Sequence, residues 1–141
     1  MSELLNRVAE FSKKAHEGQF DKGGHPYYLH PKTVALMGKT EEEQIVGYLH
    51  DVVEDTDYTF DDLKELGIND ECLEALKLLT HEKIEPYEEY VKRIKTNDLA
   101  RKVKINDLTN NMDLSRLNNV TERDLARLEK YKRCLSFLVS E

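Results

Sequence analysis

Apolar residues recur at three- and four-residue intervals along most of the chain, and the strict alternation that marks a strand is absent. Leu4, Val8, Phe11 and Ala15 outline a first amphipathic helix that stops near Gly18, and a loop to Gly24 follows. Helices are predicted from about Pro31 to Met37 and from Glu41 to Asp55. The second opens with Thr40 and a glutamate run, which reads as a solvated first turn favoured by the helix dipole. Thr59-Phe60-Asp61-Asp62 predicts a cap before a short helix ending at Gly67, and Asp70 starts the next, with Leu73, Leu76 and Leu78 or Leu79 inward. Pro86 opens a helix holding Tyr87, Tyr90, Val91 and Ile94. Asn97 or Thr96 caps another from Leu99, and Thr121-Glu122-Arg123-Asp124 caps a last one containing Leu125, Leu128, Tyr131, Leu135 and Leu138. The expectation is an all-α protein, one compact helical bundle over residues 1–141.

Composition agrees with a single core. At 141 residues with 39% apolar content the chain is long enough to bury one, and its three prolines and six glycines, several crowded between Gly18 and Pro31, leave no linker. The net charge of −7 argues against a nucleic-acid-binding surface, so a polyanionic ligand would need a local basic pocket and a metal ion rather than a general positive field. Cys72 and Cys134 form neither a CxxC pair nor a disulfide framework and read as reduced, buried small hydrophobes. The start of the chain has no basic segment and no long apolar run, so the expectation is a cytoplasmic protein without a signal peptide or membrane span.

Three segments carry chemistry. In Gly47-Tyr48-Leu49-His50-Asp51-Val52-Val53-Glu54-Asp55-Thr56, the helical spacing of Ile45, Val46, Leu49, Val52 and Val53 puts His50 and Asp51 beside or within the apolar face. Burying an imidazole next to a carboxylate is costly unless the two are hydrogen-bonded or a divalent cation uses both. In Pro26-Tyr27-Tyr28-Leu29-His30-Pro31, the prolines stiffen the chain around a second histidine at a helix start. Val103-Lys104-Ile105-Asn106-Asp107-Leu108-Thr109-Asn110-Asn111-Met112 carries a carboxylate and amides on a core-facing helix, although Asn and Asp also cluster where helices end.

Together and in this order, the segments resemble the metal-dependent HD hydrolase superfamily, and within it the hydrolase domain of the Rel/SpoT alarmone enzymes and their stand-alone small alarmone hydrolase relatives. The family pattern reads approximately AHxGQxRKxGxPYxxHPxxVA, then LHDxxEDT, then KxADRxxN. This chain has Ala15-His16-Glu17-Gly18-Gln19-Phe20-Asp21-Lys22-Gly23-Gly24-His25-Pro26-Tyr27 ahead of the segments already quoted, so the likeness spans nearly its whole length. The resemblance implies that His30, His50, Asp51 and Asp107 hold one divalent ion, manganese being usual in alarmone hydrolases. It implies that Glu54 and Asp55 orient or deprotonate the attacking water, and that Lys22, Tyr27, Lys104 and Asn111 line a nucleotide pocket. The implied reaction removes the 3′-diphosphate of (p)ppGpp, giving GDP or GTP and pyrophosphate.

Two departures bear on the substrate. Asp21 stands where the family commonly has a guanine-stacking Arg, and Asn106-Asp107-Leu108 replaces Ala-Asp-Arg. A phosphomonoesterase acting on another nucleotide, or on a phosphorylated cofactor such as NADPH, is therefore the second expectation, and a non-catalytic nucleotide-binding module the third. Because the chain ends about one helix after the last motif, hydrolysis without synthesis is expected. His16 reads as structural, His25 as an exposed loop residue, and His81 as a helix C-terminal histidine interacting with the dipole. The oligomeric state stays open.

Overall fold

The computed structural model describes residues 2–82, 84–117 and 119–140, with residue 116 described by its backbone. The described residues form helices α1 (Glu3–Ala15), α2 (Leu29–Met37), α3 (Glu41–Leu49), α4 (Val52–Asp55), α5 (Phe60–Glu65), α6 (Asp70–Leu79), α7 (Tyr87–Lys95), α8 (Asp98–Asn111) and α9 (Glu122–Val139), with a 3-10 turn at Leu114–Arg116. Among them there is no strand, only an isolated bridge between Phe20 and Pro26 that closes the loop after α1. None of these helices is long and apolar enough to cross a membrane.

The helix starts follow local chemistry. Ser2, Thr40, Asn69 and Asn97 each accept a backbone N–H of the first turn of α1, α3, α6 and α8. Thr59 with Asp62, and Thr121 with Asp124, form reciprocal capping boxes on α5 and α9. Glu43 departs from the expected solvated turn. It is buried, and its carboxylate accepts from the Lys39 N–H and the Thr40 hydroxyl, which offsets its desolvation.

Two helices present a different face from the one their apolar residues suggest. In α1 the buried positions are Leu5, Val8, Ala9 and Ser12, while Leu4, Phe11 and Ala15 are half-buried. Ser12 takes a core position because its hydroxyl donates to the Tyr48 carbonyl at 2.7 Å, leaving no polar atom unpaired. In α9 only Asp124 and Leu138 are buried, and Leu125 is exposed, because one side of this helix forms the wall of a cavity rather than a core layer.

α8 runs through the middle of the bundle and packs on α2, α3, α6, α7 and α9. α2 and α3 pack backbone against backbone at Gly47, where a Cβ would lie 2.8 Å from the Ala35 Cα and 2.9 Å from its nitrogen. This contact sets His30 and His50 on facing helices.

The helix expected from Glu41 to Asp55 is interrupted at His50 and Asp51. The His50 ring donates through Nδ1 to the Gly47 carbonyl at 2.6 Å, the carbonyl that an unbroken helix would pair with the Asp51 N–H. The side chain wins that carbonyl, α3 ends, and α4 restarts with Asp51 at its N-terminal boundary.

Candidate metal centre and the cavity beside it

His30 from the first turn of α2, His50 from the end of α3 and Asp107 from α8 bring three donor atoms within 4.8 Å of one another, and all three residues are buried. His30 Nε2 lies 2.8 Å and His50 Nε2 3.2 Å from Asp107 Oδ1. Asp51 stands at the edge of this group, its Oδ2 3.2 Å from His50 Nε2 and 3.9 Å from His30 Nε2. The same oxygen accepts the Tyr27 hydroxyl at 2.6 Å.

The hydrogen bonds on the far sides of the rings decide what the near sides offer. His30 Nδ1 donates to Asn110 Oδ1 at 2.7 Å, as His50 Nδ1 does to the Gly47 carbonyl. With Nδ1 protonated, a neutral ring presents its Nε2 lone pair, and both lone pairs then face carboxylate oxygens. Acceptor facing acceptor is repulsive until a proton or a cation lies between them. Two tautomer-fixed imidazoles and two carboxylates suit a divalent first-row ion, and outer hydrogen bonds of this kind orient metal-ligating histidines.

The electrostatics agree. Burial alone would lower the pKa of His50, but the Asp51 and Asp107 carboxylates outweigh it and hold the imidazole well above its ordinary value. Asp107, opposed by burial, is held well below the carboxylate range by Lys104 and by the two histidines. Asp51 is likewise pulled down, to about 2, by His50 against its own burial.

Asp55 differs. Burial and the neighbouring charges of Asp51 and Glu54 push it up to about 6. Glu54 accepts the His81 backbone N–H at 2.8 Å. His81 is thus not the expected dipole partner at a helix end. It lies beyond α6, its ring bonded to the Glu85 carbonyl and packed against Tyr90. Glu54 and Asp55 line an open acidic groove and are not in the lining of the cavity that His30 borders.

That cavity, of about 310 Å³, lies within the size range of small-molecule sites and has His30 in its wall. Lys22, Tyr27 and Asn111 also line it. Tyr27 and Asn111 spend a polar hydrogen on the metal group, since Asn111 Nδ2 donates to Asp107 Oδ1 at 3.1 Å. Lys104 is not in the lining: its Nζ donates to Asp107 Oδ2 at 2.9 Å and lies over the Tyr90 ring. Its cation, whose pKa is well above the ordinary value despite burial, compensates the carboxylate.

Asp21 does not stand free in the cavity wall. Its Oδ1 accepts the Gly23 and His25 backbone N–H groups, both at 2.9 Å, so the carboxylate shapes the loop. The sequence motifs did not mark Arg127 and Tyr131, which reach the cavity from α9. Nothing local could have shown them, since α9 meets the loop only in the tertiary fold, where Lys22 Nζ lies 3.4 Å from Asp124 Oδ1. Asn110 was also missed, although its spacing of three residues from Asp107 puts both on one helix face.

No protein-family model matches the chain. Over 68 residues, 45% of its length, it is 43% identical to the guanosine-3′,5′-bis(diphosphate) 3′-pyrophosphohydrolase of Aquifex aeolicus. It is 45% identical over 58 residues to the enzyme of the same name from Haemophilus influenzae, and 38% identical over 66 residues to the bifunctional (p)ppGpp synthase/hydrolase SpoT of Escherichia coli. The chain spans about a tenth of the length of these curated relatives, 10%, 9% and 9% respectively. Its fold matches a metazoan SpoT ortholog described as hydrolysing ppGpp, with a TM-score of 0.80 and 21% identity, over 98% of this chain and 86% of the other. The chain is similar in sequence to Rel/SpoT enzymes over less than half of its length and in fold to a metazoan SpoT ortholog over nearly all of it.

Proposed function

We propose that this HD domain is a metal-dependent phosphohydrolase that removes the 3′-diphosphate of guanosine alarmones, releasing pyrophosphate and GDP or GTP. The observation that carries the reading is the pair of histidines whose Nδ1 atoms are tied to acceptors while their Nε2 atoms converge on Asp107 and Asp51. The Rel/SpoT relatives supply the substrate class. His30, His50, Asp51 and Asp107 are assigned to hold one divalent ion, manganese being the ion we assign. When bound, it supplies Lewis acidity towards a phosphoryl oxygen and towards water.

Asp55, already raised towards neutrality, takes a proton from the water that attacks the phosphorus on the ribose 3′ oxygen. Glu54, anchored by the His81 N–H, contributes the charge that keeps Asp55 raised. Tyr27 holds Asp51 in place, and Lys104 and Asn111 do the same for Asp107. Lys22 and Arg127 face the cavity as the cations available to the phosphates, and Tyr131 lies beside them for the sugar or base.

One feature favours a second reading. Asp21 on the cavity wall offers no guanidinium for stacking, which leaves room for a different base or for a phosphorylated cofactor such as NADPH. The manganese-loaded protein should be assayed against ppGpp, pppGpp, adenosine analogues and NADPH, with phosphate and pyrophosphate distinguished. The proposal expects pyrophosphate from ppGpp and no turnover by His50→Ala, and release of inorganic phosphate alone would replace it with the second reading.

A further inference from the structure

His16 has no part in the mechanism above, yet it is buried at 1% exposure at the C-terminal end of α1, its ring centroid 5.1 Å from that of Tyr27. Its Nδ1 lies 2.8 Å from Gln19 Oε1, and an amide oxygen only accepts, so Nδ1 carries the proton. Burial lowers the pKa of the ring, against the pull of Gln19 and Asp51, so the ring is neutral and Nε2 is a bare acceptor. Among the described residues this Nε2 is the buried side-chain polar atom that finds no hydrogen-bond partner. Leaving such an atom unpaired costs about 1–3 kcal/mol, enough that a partner is expected.

The described residues offer none. The neighbouring Asp51 carboxylate is ionised and is an acceptor too, and its Oδ2 already holds the Tyr27 hydroxyl. His16 lies outside the group of donor atoms formed by His30, His50 and Asp107. The hydrogen must therefore come from a small donor, and water fits, since it can give one hydrogen to a neutral imidazole and the other to a carboxylate. The ring is also well fixed for this task, because Gln19 passes its own amide N–H to the Asp55 carbonyl at 3.1 Å, tying the end of α1 to the segment that carries Asp51 and Asp55.

Resting on the phosphohydrolase reading, we propose that His16 is a positioning residue: its Nε2 accepts a hydrogen bond from a buried water that bridges to Asp51 and fixes that carboxylate in the orientation the divalent ion requires. The role acts through Asp51, and His16 touches neither the ion nor the substrate.

Two substitutions separate the nitrogens. His16→Asn keeps a donor near the position of Nδ1 for Gln19 and removes the acceptor at Nε2, whereas His16→Gln places an amide oxygen near the position of Nε2. Manganese affinity of the purified protein should fall by about 10-fold or more in His16→Asn, the scale for losing an outer hydrogen bond to a ligand, and recover at least in part in His16→Gln. A crystal structure of the manganese-soaked wild type should show a water within hydrogen-bond reach of Nε2. An empty Nε2 in that structure overturns the proposal, as does a His16→Asn protein that binds manganese as tightly as wild type. Should His16→Asn fail to fold, unaltered wild-type affinity in His16→Phe or an affinity loss in His16→Gln equal to that of His16→Phe decides against it. If the wild type binds manganese and holds the water but leaves ppGpp intact, the alarmone reading fails while the role of His16 stands.

Discussion

Two carboxylates in this protein owe their behaviour to neighbours within four residues along the chain. Asp55 is raised from 3.8 to about 6 by burial, Asp51 and Glu54, which places its loss of a proton where a general base would be useful. In the metal-free protein Asp55 should therefore titrate near pH 6, a bound divalent ion that offsets the Asp51 charge should move it down, and Asp55→Asn should lower turnover of the manganese-loaded protein ~10²-fold. A titration near pH 6 that survives in the Asn variant belongs to another group. The stability effect has the opposite sign: a carboxyl raised in the folded state costs stability above its folded pKa, and the cost disappears below its unfolded one. Metal-free Asp55→Asn should melt above wild type at about pH 8 and level with it at about pH 3. Asp21 is the second case. From charge alone, Asp21→Arg would improve phosphate binding, but its carboxylate accepts the Gly23 and His25 N–H groups. Asp21→Arg is accordingly expected to raise KM for ppGpp and to expose the loop of residues 20–26 to limited proteolysis. Asp21→Asn, which keeps an acceptor, should do neither.

Among the elements, the α2 and α3 pair sets the metal centre, because each supplies one histidine and their separation is set at Gly47. Helix propensity by itself would make Gly47→Ala stabilising by ~1 kcal/mol. The packing reverses the sign. A Cβ at 2.8 Å from the Ala35 Cα meets backbone, which cannot swing aside as a side chain could, so we expect a loss of about 1–3 kcal/mol in urea unfolding. Manganese affinity should fall with it, since the Gly47 carbonyl that holds His50 moves with α3. A Gly47→Ala protein more stable than wild type would show that the two helices can part without cost. Similar local and long-range demands meet in α9, where Asp124 both closes the capping box with Thr121 and faces Lys22 across the cavity.

At the scale of the whole molecule, the bundle buries several charges around one point, and their balance depends on what lies between the Nε2 atoms and the carboxylates. Without an ion, a proton on His50 does this work, and because its folded pKa is raised, that contribution is complete below the unfolded value of 6.5 and is lost as pH rises through the raised value. An ion replaces the proton and is favoured as protons become scarce. The rise in Tm on adding manganese to chelated protein should consequently grow from about pH 6 to about pH 9. A rise that is constant or shrinks over that range would place the ion elsewhere.

The sequence alone determined the helical class, most helix starts and the three motif segments, because capping hydroxyls, amides and apolar spacing act over three or four residues and need no distant partner. His30, His50 and Asp107 were readable as ligands only through the resemblance of their three segments to the HD hydrolase motifs, and the structure brings their donor atoms together. Only the tertiary structure decided the break at His50, where a side chain competes with the backbone for the Gly47 carbonyl. It also decided the destination of long polar side chains. Lys104 turned to the buried Asp107 instead of the cavity, Asp21 turned into its own loop, and Arg127 arrived from α9. Each of these outcomes depends on which unpaired charge or hydrogen-bonding group the fold brings within about 3 Å, and periodicity along the chain carries no record of that distance.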